Sequence, residues 1–155
     1  MPAYNFQKQF VPMIIDGQKP HTIRKRRVRR PTVAGDRLFL YTGMRTKNSE
    51  LIANALCTLV EPVIIYPFIG HIRKNGVLME ENEIEALAKA DGFQDAELFF
   101  DFFRKTYDKT ELNDFEIIHW DVASMKKAVR DGELFESSKM SEVGEGHGFY
   151  FCISL

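Results

Sequence analysis

The sequence predicts an α+β domain built on a mostly antiparallel, barrel-like sheet. About five to seven short segments have the composition and alternation of strands, against two or three with helical periodicity. The two kinds of segment do not alternate regularly, as the parallel sheet of a βαβ protein would require. The 155 residues, 45% hydrophobic and 28% charged, have the size and composition of one globular domain. We therefore expect a single domain over 1–155, with its core at about 4–122 and a C-terminal extension at 123–155.

The first elements of the chain are a short strand and a short helix. Residues 4–8 predict a strand, and residues 10–16 carry the apolar face of a helix that covers one end of the core. Pro12 is tolerated there if it lies in the first turn, where its missing N–H loses no partner. Gly17 can adopt the positive φ that usually ends a helix, so the chain can then become extended.

A strand is predicted at residues 21–26, directly after Lys19. Side chains alternate along a strand, so Thr22 and Arg24 should lie side by side on one face. Six of the seven residues 24–30 are basic. Such a run is usually a solvated face of the protein, but it also forms a strip that can contact phosphate groups.

The middle of the chain predicts a loop and two strands. Residues 30–36 have the proline and the Gly-Asp pair of a loop, and residues 38–41 alternate as a strand does. Residues 42–50 are a polar connection that we expect close to the candidate site at 17–30. Residues 51–65 are rich in β-branched side chains and favour a long strand, in which Pro62 indicates a bulge or an edge.

The second half predicts a hairpin and two helices. Asn75-Gly76 is the turn pair preferred by two-residue hairpins, and it divides residues 68–79. Helical spacing begins after the acidic residues at 80–83, and Asp95 precedes a second helix. The apolar stripe of that second helix consists of Leu98, Phe99, Phe102 and Phe103.

The chain closes with a predicted strand at residues 115–120. In the extension, residues 125–129 predict a short helix. Residues 149–153 are apolar enough to form a final strand that returns to the core.

Charge and cysteine content indicate a cytoplasmic protein. The net charge of −1 conceals a basic region at 19–30 and an acidic one at 80–121. Cys57 and Cys152 lie in apolar stretches, which favours buried thiols in a reducing compartment. We expect no membrane association, because no stretch approaches the roughly 20 apolar residues that span a bilayer.

The residue patterns of metal and cofactor sites are missing from the sequence. No two of the four histidines have metal-ligand spacing, and the cysteines do not complete a zinc set. No dinucleotide fingerprint and no Gly-x-Ser-x-Gly motif is found. We therefore expect neither a metal nor a cofactor.

The order of these features resembles the ASCH family of PUA-like domains. An apolar helix is followed by Gly-x-Lys-x-x-Thr-x-Arg at 17–24, and Gly-Asp at 35–36 opens a strand. A strand with a cysteine and an acidic helical region come next. The resemblance covers roughly the first 120 residues. It implies a PUA-like β-barrel with helices packed at its ends and a cleft on one side.

The resemblance also implies a chemistry. Some ASCH proteins are small amidohydrolases that remove the acetyl group of N4-acetylcytidine, and the positions matching their lysine, threonine and acid are Lys19, Thr22 and Asp91. In this hypothesis Thr22 attacks the acyl carbon and Lys19 transfers the proton to the leaving amine. Asp91 would orient that amine, and Arg24 would stabilise developing charge. Aspartate stands where those enzymes have glutamate, which shortens the reach by about 1.5 Å.

The alternative hypothesis is an RNA-binding module without catalysis that uses the basic strip at 24–30. RNA recognition also uses aromatic side chains, for which Tyr41 and Phe39 are candidates, although either could belong to the core. The expected partner under both hypotheses is RNA or a modified nucleoside, and the oligomeric state stays open. The candidate substrate- or RNA-binding residues are Arg24, Lys25, Arg26, Arg27, Arg29, Arg30, Tyr41 and Arg45.

Overall fold

The computed structural model describes residues 1–130 and 133–134. In this part of the chain, three α-helices accompany an eight-stranded sheet and a separate two-stranded sheet. The strands are Ala3–Phe6 (β1), His21–Lys25 (β2), Arg37–Thr42 (β3), Glu50–Tyr66 (β4), His71–Lys74 (β5), Val77–Leu78 (β6), Leu112–Trp120 (β7), Lys126–Lys127 (β8), Val129–Arg130 (β9) and Glu133–Leu134 (β10). The helices are Val11–Ile15 (α1), Glu81–Ala90 (α2) and Ala96–Tyr107 (α3).

The large sheet is organised around β4, which confirms the expected mixed, strand-rich fold. Its first half pairs with β3 and β8, its second half pairs with β5, and β7 runs along much of its length. Beyond these, β1 pairs with β3 and β2 pairs with β7. All pairings are antiparallel except β1 with β3. The strands β1 and β2 therefore lie at two ends of the sheet.

The predicted barrel is not closed. Among the described strands, no backbone ladder joins β1 to β2, which is the pairing that would complete a ring. Instead, carbonyl oxygens of Ala3 and Asn5 on β1 accept hydrogen bonds from the side chains of Arg27 and Arg24. Because these arginines occupy the acceptors that a neighbouring strand would use, the two strands stay apart.

The irregularity expected in β4 is present, but it lies on either side of Pro62, which itself pairs in register with Glu116 of β7. The register with β7 shifts between Cys57 and Leu59 and again between Val63 and Ile65. Pro62 lies between the two shifts, where it cannot donate to a ladder. Such bulges bend a strand, which lets one 17-residue strand serve different neighbours along its length.

Capping and turn residues in the sequence predicted most helix and turn boundaries correctly. Pro12 lies in the first turn of α1, and Asp95 accepts the backbone N–H of Leu98 at 2.8 Å to begin α3. The hairpin turn is formed by Asn75 and Gly76, with φ values of 52° and 79°. These positive values are those required by a type I′ turn.

Two hydrophobic clusters lie on opposite faces of β7. Ile118 belongs to the first cluster, with α1, β1 and β3, whereas the adjacent Ile117 belongs to the second, with α2 and α3. They differ because neighbouring side chains of a strand point to opposite faces. Thr22 of β2 is opposite Ile118, so the Thr22 face of β2 belongs to the first cluster.

The prediction of a helix at residues 125–129 is wrong. Lys126–Lys127 form β8, which pairs with Ala53 and Asn54, and Ala128 N–H donates to the Ile52 carbonyl at 2.8 Å. The ladder offered by β4 outweighs the weak helical preference of so short a segment. The strand predicted at 149–153, and Cys152 with it, lies outside the described residues. No helix in the described part of the chain is long and apolar enough to cross a membrane.

Candidate functional site

Three residues of the sequence motif form a buried polar cluster together with Asp91. Lys19 and Thr22 are 0% exposed, Asp91 is 1% exposed and Arg24 is 2% exposed. The Lys19 Nζ donates to both Oδ1 and the backbone oxygen of Asp91, each at 2.6 Å. The Arg24 Nε donates to the Thr22 Oγ1 at 3.0 Å. The expected proximity of Thr22 and Arg24 on one face is therefore observed, and Lys19 meets Asp91 across 72 residues of sequence.

Asp91 reaches Lys19 because of its place at the end of α2. It is the C-terminal cap of that helix, where carbonyl groups and the helix dipole favour a cation such as the Lys19 ammonium. The backbone N–H of Ile23 also donates to the Asp91 carboxylate. Gly92, with a φ of +103°, turns the chain immediately afterwards, and Phe10 packs where its Cβ would be. The helix end and this turn therefore hold the Asp91 carboxylate against the Lys19 ammonium.

The electrostatics of the pair are set by burial. Burial raises the pKa of Asp91 above its ordinary value, and the adjacent Lys19 opposes that rise. The Lys19 Nζ also lies 5.1 Å from the ring centroid of Phe10 and 6.0 Å from that of Phe6. Aromatic faces attract a cation, so these rings favour the ammonium at this position.

His21 is a buried neighbour of the cluster that the sequence did not single out. Its Nε2 lies 3.7 Å from the Asp91 Oδ1 and has no hydrogen-bond partner among the described residues. Burial, reinforced by Lys19 and His119, lowers the pKa of His21 to about 2, so the ring stays neutral. The sequence could have indicated that His21 is buried, because it lies two residues from Ile23 and so shares the apolar face of the strand.

Two histidines that are far apart in the sequence are neighbours in the structure. His21 is directly opposite His119 on β7, with ring centroids 5.5 Å apart, and the His119 Nε2 lies 2.7 Å from the Glu61 Oε2. Within residues 1–130, no group of three or more histidine, cysteine or acidic residues is arranged to hold a metal ion.

Arginine side chains bridge the gap between β1 and β2. The Arg24 Nη2 donates to the Asn5 carbonyl at 2.7 Å, and the Arg27 Nη2 donates to the Ala3 carbonyl at 2.6 Å. The two guanidinium groups lie 5.6 and 4.8 Å from the ring centroid of Tyr4. The Tyr4 hydroxyl is hydrogen-bonded to the Thr32 hydroxyl, and burial raises the pKa of Tyr4. These contacts fix both arginines in place.

Two open cavities follow this gap. The first, here called the seam cavity, has a volume of about 290 Å³, and its basic lining residues are Arg24, Lys25, Arg26, Arg27 and Arg45. The second, here called the loop cavity, has a volume of about 450 Å³, and its basic lining residues are Arg27, Arg29, Arg30 and Arg37. Arg27 lines both cavities, so they adjoin at this residue.

The expected site residues are divided between these two regions. All six basic residues at 24–30 line one cavity or the other, and Arg45 of the 42–50 connection lines the seam cavity. Tyr41 is half-buried next to Asn5 in the parallel ladder and lines neither cavity. Lys19, Thr22 and Asp91 also line neither, because Arg24 lies between the buried cluster and the seam cavity.

Glu116 is an acidic group at this site that the sequence reading missed. It is buried on β7 directly opposite Arg24, and burial raises its pKa while the nearby Arg26 and Arg27 oppose that rise. The sequence pattern could have identified this residue, because Glu116 shares its strand face with Ile118 and Trp120. An acid on an apolar face is buried only with compensation.

Comparison with known proteins gives one structural likeness. No family model and no curated protein matches the chain. Among solved structures the chain is similar to the one described as the crystal structure of ASCH from Zymomonas mobilis. The sequences are 14% identical and the TM-score is 0.44, with 85% of this chain and 68% of that chain covered.

Proposed function

We propose that the protein binds RNA through a basic groove formed by the seam cavity and the loop cavity together. The observation that carries this proposal is the joining of two arginine-lined cavities at Arg27. Asp36 is the acidic residue of the lining, and its Oδ2 already accepts the Val33 N–H at 3.0 Å. Arginine is well suited to this role, because its planar fork can donate two hydrogen bonds to one phosphate.

The groove is held in shape before any ligand binds. Arg27 is fixed by Tyr4 and the Ala3 carbonyl, and Arg37 donates to the Asn54 Oδ1 at 2.7 Å. The loop between β2 and β3 is tied to the sheet by a hydrogen bond from Gly35 N–H to the Cys57 carbonyl at 2.8 Å. Donors that are already ordered lose less conformational entropy when a ligand binds. This favours specific phosphate contacts over a diffuse charged surface.

The test is the salt dependence of RNA affinity. A fluorescently labelled RNA oligonucleotide is titrated with the protein at several salt concentrations between about 50 and 200 mM. We expect affinity to fall steeply with salt and to be reduced in Arg26→Gln/Arg29→Gln. The matched control is Lys105→Gln/Lys109→Gln, which removes two exposed cations outside the groove. A wild-type protein that retains no RNA at low salt would remove the proposal.

A second candidate function is hydrolysis of an acylated cytidine. It is favoured by the contact of Lys19 with Asp91 and by the adjacent Thr22–Arg24 hydrogen bond. The Lys19 ammonium would give a proton to the leaving amine and take the proton of the Thr22 hydroxyl in its place as that oxygen adds to the acyl carbon, and water would then release the acid from Thr22. Since Lys19 and Thr22 are fully buried, a substrate in the seam cavity would have to displace Arg24 to reach them.

The hydrolase is tested by acetate release from N4-acetylcytidine. We expect turnover by the wild type, its loss in Lys19→Ala and Thr22→Ala, and partial retention in Thr22→Ser, which keeps the hydroxyl. Thermal unfolding of each variant establishes that it is folded. Full activity of Thr22→Ala would sink this second candidate and leave RNA binding unaffected.

A further inference from the structure

We propose that the basic groove holds one nucleotide in two parts, with the base in the seam cavity and its phosphate in the loop cavity. This rests on the proposed RNA binding and narrows it to a nucleotide whose base is not paired. The ligand is either a free nucleotide or an unpaired nucleotide within RNA. Arg27, which lines both cavities, contacts both parts.

The seam cavity has the size and lining for a base. Its volume of about 290 Å³ lies near the lower end of the ~300–1,000 Å³ typical of small-ligand sites. Met44 supplies apolar surface, and the half-buried guanidinium group of Arg27 supplies a planar face on which a base can stack. The Asn5 Oδ1 accepts the Met44 N–H at 3.0 Å, which leaves the other end of this amide as a hydrogen-bond donor. That donor suits the oxygen and nitrogen acceptors of a base.

The loop cavity has the charge for a phosphate. Arg29 and Arg30 are exposed, and neither makes an ion pair within the part of the chain that the structure describes. Arg30 has a φ of 53°, an uncommon conformation for a residue other than glycine, which indicates that the loop constrains its direction. With Asp36 engaged by Val33, the cavity presents a net excess of donors. A phosphate group matches this excess in charge and in its number of acceptor oxygens.

Arg27 makes the two cavities one site. Its Nη2 is engaged by the Ala3 carbonyl and its plane lies over Tyr4, so the guanidinium cannot turn freely. A fixed guanidinium at the border has further N–H groups to offer on either side. Because the sugar joins the base and phosphate of one nucleotide over a short distance, cavities that share a residue can take both parts at once.

The experiment separates the two cavities by changing charge in one and volume in the other. The Arg29→Gln/Arg30→Gln variant removes charge from the loop cavity, whereas Met44→Trp fills the seam cavity without changing charge. Wild type, both variants and Lys109→Gln are titrated with inorganic phosphate, the four nucleosides, their 5′-monophosphates, and one RNA oligonucleotide as a single strand and as a duplex. Thermal unfolding of each variant reports whether it is folded.

We expect the loop variant to weaken phosphate and monophosphate binding by about tenfold or more. Met44→Trp should weaken nucleoside, monophosphate and single-strand binding while leaving inorganic phosphate unchanged. Arg27→Lys, which keeps the charge but loses the planar fork, should weaken monophosphates more than either nucleosides or phosphate alone. This variant tests the inference even if Met44→Trp does not fold.

The outcomes distinguish this inference from the proposed function. Equal affinity for single strand and duplex, with no effect of either Met44→Trp or Arg27→Lys on nucleotide binding, would overturn the inference and leave RNA binding intact. Binding of monophosphates without RNA would support the two-part site for a free nucleotide and remove RNA as the partner. Absence of binding to RNA and to monophosphates would remove both.

Discussion

At the scale of single residues, the polar side chains of the motif at 17–24 connect elements of the fold as well as forming the candidate catalytic site. Lys19 joins the segment before β2 to the end of α2, and Arg24 joins β2 to β1. Buried polar groups normally have partners, and a charge buried without one is costly. The same side chains that could perform hydrolysis therefore hold three elements together, so their variants must be tested for stability as well as for activity.

Removal of Lys19 is expected to destabilise the fold strongly. In Lys19→Met, the buried Asp91 carboxylate loses its cation, and breaking such a pair costs about 3–5 kcal/mol. The double variant Lys19→Met/Asp91→Asn should recover part of this loss, because asparagine removes the charge and keeps an acceptor for the Ile23 N–H. Lys89→Met is the control, since the Lys89–Glu85 pair is at the surface and such pairs contribute at most about 1 kcal/mol.

The free energy of unfolding in urea measures these differences. A Lys19→Met variant as stable as Lys89→Met would show that the buried pair contributes nothing beyond a surface pair.

His21 is expected to make the protein sensitive to acid. Its pKa falls from 6.5 to about 2 on folding, so between these values the unfolded chain binds more protons than the folded one. The stability tied to neutral His21 is therefore complete above pH 6.5 and is lost progressively as the pH falls below it. In His21→Gln, the free energy of unfolding should therefore fall less steeply as the pH decreases below 6.5.

The measurement is the urea midpoint as a function of pH for wild type and His21→Gln. His71→Gln is the matched control, because His71 is exposed. Identical pH profiles for the wild type and His21→Gln would contradict a buried neutral histidine.

At the scale of elements, the sequence predicted what depends on neighbours along the chain. The Asn75-Gly76 turn, the cap at Asp95 and the shared face of Thr22 and Arg24 follow from local geometry and are observed. The Lys19–Asp91 contact could not follow from local rules, because its partners are 72 residues apart; the family resemblance indicated it. The open gap beside β1 and the strand β8 depend on competition between distant segments for backbone partners, which no local pattern encodes.

The junction between α2 and α3 gives a test of how tightly the elements are fitted. Gly92 has a φ of +103°, and a Cβ there would lie 2.5 Å from the Phe10 Cε1, a buried ring that cannot withdraw. Gly92→Ala should therefore combine backbone strain of about 1–3 kcal/mol with overpacking of about 1–3 kcal/mol. Gly35→Ala is the matched control, because Gly35 has a φ of +96° with no atom within 4 Å of the added Cβ.

The difference between the two glycine variants in urea unfolding isolates the contact with Phe10. Equal losses of stability would mean that Phe10, the residue directly before α1, moves to admit the added methyl group, so that the packing around Lys19 can adapt.

At the scale of the whole molecule, charge is separated and not balanced locally. The net charge is −1, yet both cavities are lined by basic side chains while acidic residues crowd residues 80–121. Long-range attraction to a polyanion is therefore weak, and RNA affinity must come from contacts within the groove. The distribution of charge, and not its total, is what the proposed function requires.

This gives a prediction that compares a charge in the groove with one outside it. For single-stranded nucleic acid, the logarithm of affinity falls with the logarithm of salt by about 0.7 for each phosphate contact. Arg29→Gln should reduce that slope by about this amount, because Arg29 lines the loop cavity. Glu111→Gln changes the net charge in the opposite direction from an exposed position outside both cavities, so it should leave the slope unchanged. Titrations of one labelled RNA over a range of salt measure both slopes, and equal and opposite changes would instead indicate binding governed by net charge alone.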